Sequence, residues 1–385
     1  MANKLAGEED DLKRKLRWAA LLHDIGHGPF SHVSDMVFER LGYGKNVHER
    51  IGKALIERNR YIGAHIASTF KEEILKILSS EGRPAYAKSL ISGPLDCDKQ
   101  DYFLRDSLLC GVKYGIFDID RLHNALTIVY DPTYQDHYLA VEEDSIFAVE
   151  QFVLARHYLT AQIYFHKVRL ITDQMIVRAI IKGIPEYGVL NDLYNYSDDD
   201  EYYTNFLNWD DNSLTFEIMK GGDNICSRLF SKIFNRGLFK RICHIDLSGI
   251  PNADLKIRID SITEEEKAFI EERIAEEFGW DPDEVICYKY KYRVTKPEEG
   301  GVKGETAEPP APSIPVRVSP VKYEELETKS PLYKAVLTSE TQQFFDIYAP
   351  VAWQTKPDKE VWFKTNSDTV SSIVADSLNG GEEDE

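Results

Sequence analysis

From Asp11 to Ile25 the apolar positions Leu12, Leu16, Ala19, Ala20, Leu22 and Ile25 recur three and four residues apart, the spacing that lines one face of a helix. The same period predicts a second helix starting near Phe30, with Val33, Val37 and Leu41 inward and Gly42 and Gly44 as its stop. A third helix is expected from about Val47 to Arg58, and a fourth from Ala67 to Leu78, broken by Gly82 and Pro84. A turn at Ser92-Gly93-Pro94 then leads into a helix running to about Cys110. Between Asp144 and Lys182 there is neither Gly nor Pro for 39 residues, and Ile146, Val149, Val153, Tyr164, Val168 and Ile171 keep helical spacing. That predicts one long helix or a kinked pair.

Beyond Gly183 the pattern changes. An acidic, Tyr- and Asn-rich loop near Tyr194 to Tyr203 leads into more helix through Leu238, after which Arg241 to Leu247 alternates like a strand. Thr263 with Glu266 forms a capping box for a helix carrying Ile270, Ile274 and Phe278, which Gly279 ends. Val285 to Val294 alternates Tyr288, Tyr290 and Tyr292 against Lys289, Lys291 and Arg293, a strand with one solvated basic face. The fold class expected is mainly α, a helical bundle followed by a smaller α+β C-terminal region. Its divisions are a helical core over 1–185, a helical extension over 186–240, an α+β region over 241–296, a Pro/Gly/Glu-rich linker or loop over 297–320, an α/β segment over 321–379 and an acidic tail over 380–385.

Composition narrows the class. At 385 residues with 43% hydrophobic and 11% aromatic content, the chain has the mixture of a globular protein with real cores. No apolar run approaches a membrane span and the opening residues lack the apolar centre of a secretory signal, so a cytoplasmic protein is expected. Five cysteines without a CxxC pair argue against a disulfide framework or a zinc ribbon. A formal charge of −19 disfavours extended nucleic-acid binding, whereas a small anionic substrate would need a pocket with its own Lys and Arg and a divalent cation.

The chemistry concentrates in His23-Asp24-Ile25-Gly26-His27-Gly28-Pro29-Phe30-Ser31-His32, three histidines and a carboxylate at the end of an apolar helix. Imidazole and carboxylate are the ligands that divalent Mg, Mn, Fe or Zn accept, and Gly26, Gly28 and Pro29 stop the helix so that these groups face open space. His32 and Asp35 lie three apart, close enough for the carboxylate to orient the ring, and His48 opens the third helix. Downstream, Asp96, Asp98, Asp101 and Asp106 alternate with Lys99 and Arg105, and Asp98 is the natural distal carboxylate for the histidine cluster.

HDIGHGPFSH, an NVHE element, LDCDKQDYFLRDSLLCGVKYG and an Arg156 helix ending IYFHKV together resemble the HD-domain deoxynucleoside triphosphate triphosphohydrolases, dGTPase-like enzymes, most closely over residues 10 to 185. The resemblance implies an HD-domain core that binds a divalent metal ion through His23, Asp24 and Asp98, with dNTP as substrate and deoxynucleoside and inorganic triphosphate as products. It further implies that Lys99, Arg156 and Lys167 neutralise the triphosphate, and that His32, oriented by Asp35, protonates the departing 5′-oxygen. His27 and His48 would serve as further donors on the phosphate side, while Tyr102, Asp106 and Tyr164 hold the sugar. A homo-oligomer, dimer or tetramer, is expected with it. The family takes a fourth ligand from an upstream Arg/His helix, and no histidine precedes His23, so an N-terminally truncated and impaired enzyme is expected. A catalytically silent nucleotide-binding or assembly subunit, or another HD phosphohydrolase such as a nucleotidase or phosphodiesterase, are the alternatives.

Overall fold

Helix α1 (Asp10–Leu22) is followed by α2 (His32–Arg40), α3 (Val47–Arg58), α4 (Cys97–Leu109) and α5 (Ile146–Leu159), close to the limits that the apolar period sets. Gly42 and Gly44, at φ +87° and +86°, end α2 in the left-handed region that a side chain resists. The stretch without Gly or Pro is a kinked pair: α5 continues as a π-helical turn over Thr160–Tyr164, and a new helix spans Lys167–Gly183. The computed structural model describes residues 10–79, 84–132, 135–249, 253–292, 314–319, 322–338 and 341–379. The expected linker up to residue 313 and the expected tail over 380–385 lie outside the described residues.

Two compact units divide the chain. The first comprises residues 1–164, 196–208 and 294–339. The chain breaks after the π turn, where His166 caps a separate helix through its side chain. The core of this unit gathers Leu16, Ala19 and Leu22 of α1 with Ile74, Ile77, Phe103, Phe152 and Leu159. Phe103 and Phe152, tilted rings with centroids 5.0 Å apart, lock α4 to α5. Each is fully buried, a burial that stabilises by about 1.5–3 kcal/mol per ring. A four-stranded sheet adds Leu126–Asp131 antiparallel to Asp136–Glu142, which pairs in parallel with Pro315–Ser319, itself antiparallel to Lys322–Glu325.

The second unit comprises residues 165–195, 209–293 and 340–385. Its three-stranded sheet has Gln342–Ala349 between Lys240–Asp246 and Ile286–Tyr292, both antiparallel. The helix over Glu264–Phe278 starts at the expected Thr263/Glu266 capping box and ends at Gly279, φ +67°. Glu271 on that helix is buried but receives two hydrogen bonds from Arg178, 2.8 and 2.7 Å, and one from the Cys287 amide, 2.8 Å. The strand carrying Tyr288 and Tyr290 differs from expectation, because the lysine side of it is not simply solvated. Cys287 on that side lies in the core and Lys289 is half-buried, while Tyr290 reaches across to buried Asp346. The architecture is therefore mainly helical with two small sheets. Among the described residues no helix is long and apolar enough to cross a membrane.

One close approach in the first unit fixes where α1 delivers its last residues. A Cβ on Gly26 would overlap the His48 carbonyl oxygen and the Gly52 amide nitrogen, so the turn after α1 lies backbone to backbone against α3. The contact is asymmetric: a Cβ on Gly52 would meet Gly26 at 3.5 Å, an ordinary contact. Gly26→Ala is therefore expected to cost at least about 1–3 kcal/mol of overpacking. Gly52→Ala, inside a helix, should be neutral or stabilising by up to about 1 kcal/mol. Urea unfolding of the two variants checks the contrast, and equal effects would contradict it.

Candidate metal centre and histidine cluster

Just past the end of α1, His23 is held by a contact of 2.9 Å between its Nδ1 and the Ala20 carbonyl oxygen. Donation from Nδ1 to that carbonyl leaves Nε2 as the lone-pair nitrogen, the arrangement found in imidazoles that ligate metals. His23 Nε2 is buried, has no hydrogen-bond partner, and faces Asp24 Oδ2 at 3.3 Å and Asp98 Oδ1 at 3.8 Å. The latter distance is too long for a hydrogen bond. One ligand atom from each of the three residues lies within 4.8 Å of the others, compatible with ligation of one ion at about 2.0–2.3 Å. Without an ion, Asp98 and then Asp24, assisted by the Ala20 carbonyl, lift His23 to about 9 against the opposing effect of burial. The pocket between these carboxylates thus attracts a positive charge, and the orphaned nitrogen makes a divalent ion a chemical fit for it.

Asp98 stands where it does because its neighbour starts the helix. Asp96, 1% exposed, accepts from the Lys99 amide at 2.7 Å and the Gly93 amide at 2.9 Å, capping α4 and closing the preceding turn. The Lys99 ammonium binds this same carboxylate at 2.5 Å and the Gly93 carbonyl at 3.0 Å. Sequence reasoning offered Lys99 to a phosphate, whereas the buried Asp96 carboxylate takes its charge. An Asp three residues ahead of the amide it caps was the available signal.

The other histidines form a second array. His27 stacks on His48 with centroids 4.0 Å apart and meets the edge of His32 at 4.8 Å. Asp35 Oδ2 lies 2.6 Å from His48 Nδ1, 3.5 Å from His27 Nδ1 and 3.9 Å from His32 Nδ1, and Asp35 Oδ1 also accepts from the His48 amide. Asp35 therefore orients His48 rather than the expected His32, whose side chain is 69% exposed. The cause is tertiary: Asn46, in the left-handed region at φ 54°, turns the chain into α3 so that both the amide and the ring of His48 reach the same carboxylate. Burial acts to raise Asp35, but the facing His32 and His48 hold it well below the usual carboxylate range. His48 is raised by Asp35 in spite of burial. Burial and the adjacent His48 and His32 push His27 down to about 4, so a ring kept neutral stacks on one whose charged form Asp35 favours. His27 Nδ1 is buried without a hydrogen bond, its Nε2 is 3.8 Å from Asp24, and His27, His32 and Asp35 could together hold a cation.

Near the C-terminal end of α4, Tyr164 donates to Asp106 Oδ2 at 2.9 Å and its ring lies 5.9 Å from that of Tyr102. The π-helical turn carries Tyr164, a feature often found at functional sites and invisible to a helical-period reading. Burial raises both phenols. Arg156 is half-buried and close enough to Tyr102 to act on its titration, and its guanidinium makes no hydrogen bond or ion pair among the described residues. Lys167, offered as a further cation, opens a helix of the second unit.

Residues 1–125 match the model of the HD domain and residues 117–302 that of the HD associated region. The uncharacterized protein MJ1154 of Methanocaldococcus jannaschii is 30% identical over 355 residues, 91% of this chain and 66% of its own length. A Dictyostelium discoideum protein named deoxynucleoside triphosphate triphosphohydrolase SAMHD1 homolog is 28% identical over 60% of this chain and 45% of its own. The chain thus spans less than two thirds of these relatives. A phosphohydrolase of Bacteroides thetaiotaomicron shares the fold, with a TM-score of 0.64 at 21% identity over 88% of this chain and 80% of that one. The chain is therefore an HD-domain protein, an HD domain followed by an HD-associated region, with both clusters of histidine and aspartate inside the former.

Proposed function

We propose that the chain is a metal-dependent phosphohydrolase that converts a dNTP to deoxynucleoside and inorganic triphosphate. The observation that carries the reading is the buried, unpartnered His23 Nε2 between two carboxylates, beside a second imidazole array. A divalent ion held by His23, Asp24 and Asp98 would polarise a phosphoryl oxygen and make water a stronger acid. Water adds to the α-phosphorus and the bond to the 5′-oxygen breaks. Arg156, with no protein partner among the described residues, supplies a guanidinium to the phosphates. Of the three clustered imidazoles, His32 is the one with an open edge, and we assign to it the proton that the 5′-oxygen needs. His48, bound through Nδ1 to Asp35, and neutral His27 donate and accept behind it. Asp106 accepts from the 3′-hydroxyl, and the Tyr164 ring limits space at the sugar. The Dictyostelium relative's name supports the choice of dNTP.

The test is product analysis with each dNTP and Mg²⁺ or Mn²⁺. Triphosphate released in one step is expected; phosphates released singly would mark a nucleotidase instead, and nucleotide binding without turnover would mark a silent binding subunit.

Asp98→Ala should weaken Mn²⁺ binding by more than about 100-fold, since even partners behind a ligand account for 10–100-fold. Its unfolding free energy should change by less than about 1 kcal/mol, because the side chain is 35% exposed. Calorimetric titration with Mn²⁺ and urea unfolding read the two quantities separately. Arg156→Ala should lower kcat/KM by about tenfold to a hundredfold, the worth of one hydrogen-bonded charge, with the Mn²⁺ affinity unchanged. An unaltered kcat/KM would remove Arg156 from the phosphate site.

A further inference from the structure

The loop that carries His27 and His32 holds two consecutive non-glycine residues at positive φ, Phe30 at 62° and Ser31 at 51°. Such a conformation costs on the order of 1–3 kcal/mol per residue and persists only where the surroundings over-determine it. Inside the loop, Ser34 donates to the Pro29 carbonyl at 2.5 Å and the Ser31 amide donates to Gly28 at 2.9 Å. A further support comes from far along the chain. A Cβ on Gly28 would lie 3.2 Å from Phe206 Cζ and 3.0 Å from Ser34 Oγ, so the Phe206 ring is seated directly on the loop backbone.

Phe206 ends a short helix, α6 (Asp200–Phe206), in a segment over 196–208 that belongs to the first unit although the chain on both sides of it belongs to the second. The segment is pinned to the helix of His48. Arg58 at the end of α3 pairs with Asp198 at 2.9 Å and lies over the Tyr203 ring, and Arg50 lies over Tyr196, which also meets Tyr43. Tyr202, Tyr203 and Phe206 are all buried. One strap therefore touches the two elements whose register decides how the imidazoles meet: the Gly28–Ser31 loop, flanked by His27 and His32, and α3, which bears His48.

We propose that Phe206, contributed by the HD-associated region, is a positioning residue for the His27–His48–His32 array, holding the strained loop at its setting against α3. The part of this that concerns turnover rests on the phosphohydrolase reading; the part that concerns imidazole placement does not. The contacts of the strap named above are with the Gly28–Ser31 loop, Tyr43 and α3, not with His23, Asp24 or Asp98, so the ion and the imidazoles should respond differently to its loss.

The experiment compares Phe206→Ala and Phe206→Leu with the parent chain by three measurements: Mn²⁺ titration, ¹H–¹⁵N spectra of the histidine rings, and dNTP turnover. Expected for Phe206→Ala are shifted ring signals for His27, His32 and His48 with His137 and His65 unmoved, and Mn²⁺ affinity within about twofold. The kcat should fall by about tenfold to a hundredfold, the cost of misplacing a reacting group by around an ångström, with KM little changed. Phe206→Leu, which keeps most of the apolar volume, should recover most of the kcat, and it carries the test alone if the alanine variant does not fold, then with a smaller ring-signal shift. Unmoved ring signals in a folded variant overturn the proposal, as does a loss of Mn²⁺ affinity equal to the loss of turnover, which would mean that the whole unit had loosened. If the parent chain hydrolyses no dNTP, the phosphohydrolase reading fails and the ring spectra still decide whether Phe206 positions the array.

Discussion

The backbone contact of Gly26 with α3 is the constraint on which the site depends. Because no side chain intervenes, the residue after Gly26 arrives directly beside the residue at the start of α3, and the faces of His27 and His48 come within 4.0 Å. Two imidazoles at that distance cannot both carry a proton at little cost. Asp35 resolves the choice by binding His48 through its ring and its amide, so protonation is favoured at His48 while His27 stays neutral. A steric fact about one glycine thereby becomes a division of labour between two histidines.

Asp96 and Asp98 show the same logic on α4. They are two residues apart in the first turn, yet one is 1% exposed and fully engaged in capping, and the other stands open toward His23. Burial raises Asp96 and Lys99 opposes the rise, so the lysine serves the fold of the turn. His23 holds Asp98 low despite burial. The helix start would lose its register if Asp96 were spent on an ion, and the ion site would lose its distal carboxylate if Asp98 were spent on a cap.

Much of this was legible in the sequence, for local reasons. The limits of α3, the Thr263/Glu266 cap and the Gly42 stop follow from period and capping chemistry, and the convergence of His23, Asp24 and Asp98 is what the HD-domain resemblance implies. What was not legible depends on contacts between distant residues. The partner of Asp35 is thirteen residues away rather than three, because Asn46 turns the chain back toward it. The π turn at Tyr164 leaves no periodic mark, and the seat of Phe206 on Gly28 joins residues that no spacing rule connects. The three-residue separation of His32 and Asp35 suggests a pair because sequence shows reach along a helix and not competition for the same oxygen.

Charge gives the last argument for an ion. The chain's overall −19 is screened beyond about 8 Å at physiological salt, so it is the local balance that a polyanion meets. Asp24, Asp35, Asp98 and Asp106 lie in the candidate site, against Arg156 and, while no ion is bound, a protonated His23, with His48 drawn toward its charged form by Asp35 and Lys99 already bound to Asp96. Protein groups alone therefore present more negative than positive charge where a triphosphate would have to sit. A divalent cation among His23, Asp24 and Asp98 reverses that balance, and it does so beside the unpartnered His23 nitrogen. Under the proposed function the ion is thus needed for substrate to enter at all, before any chemistry that it could assist.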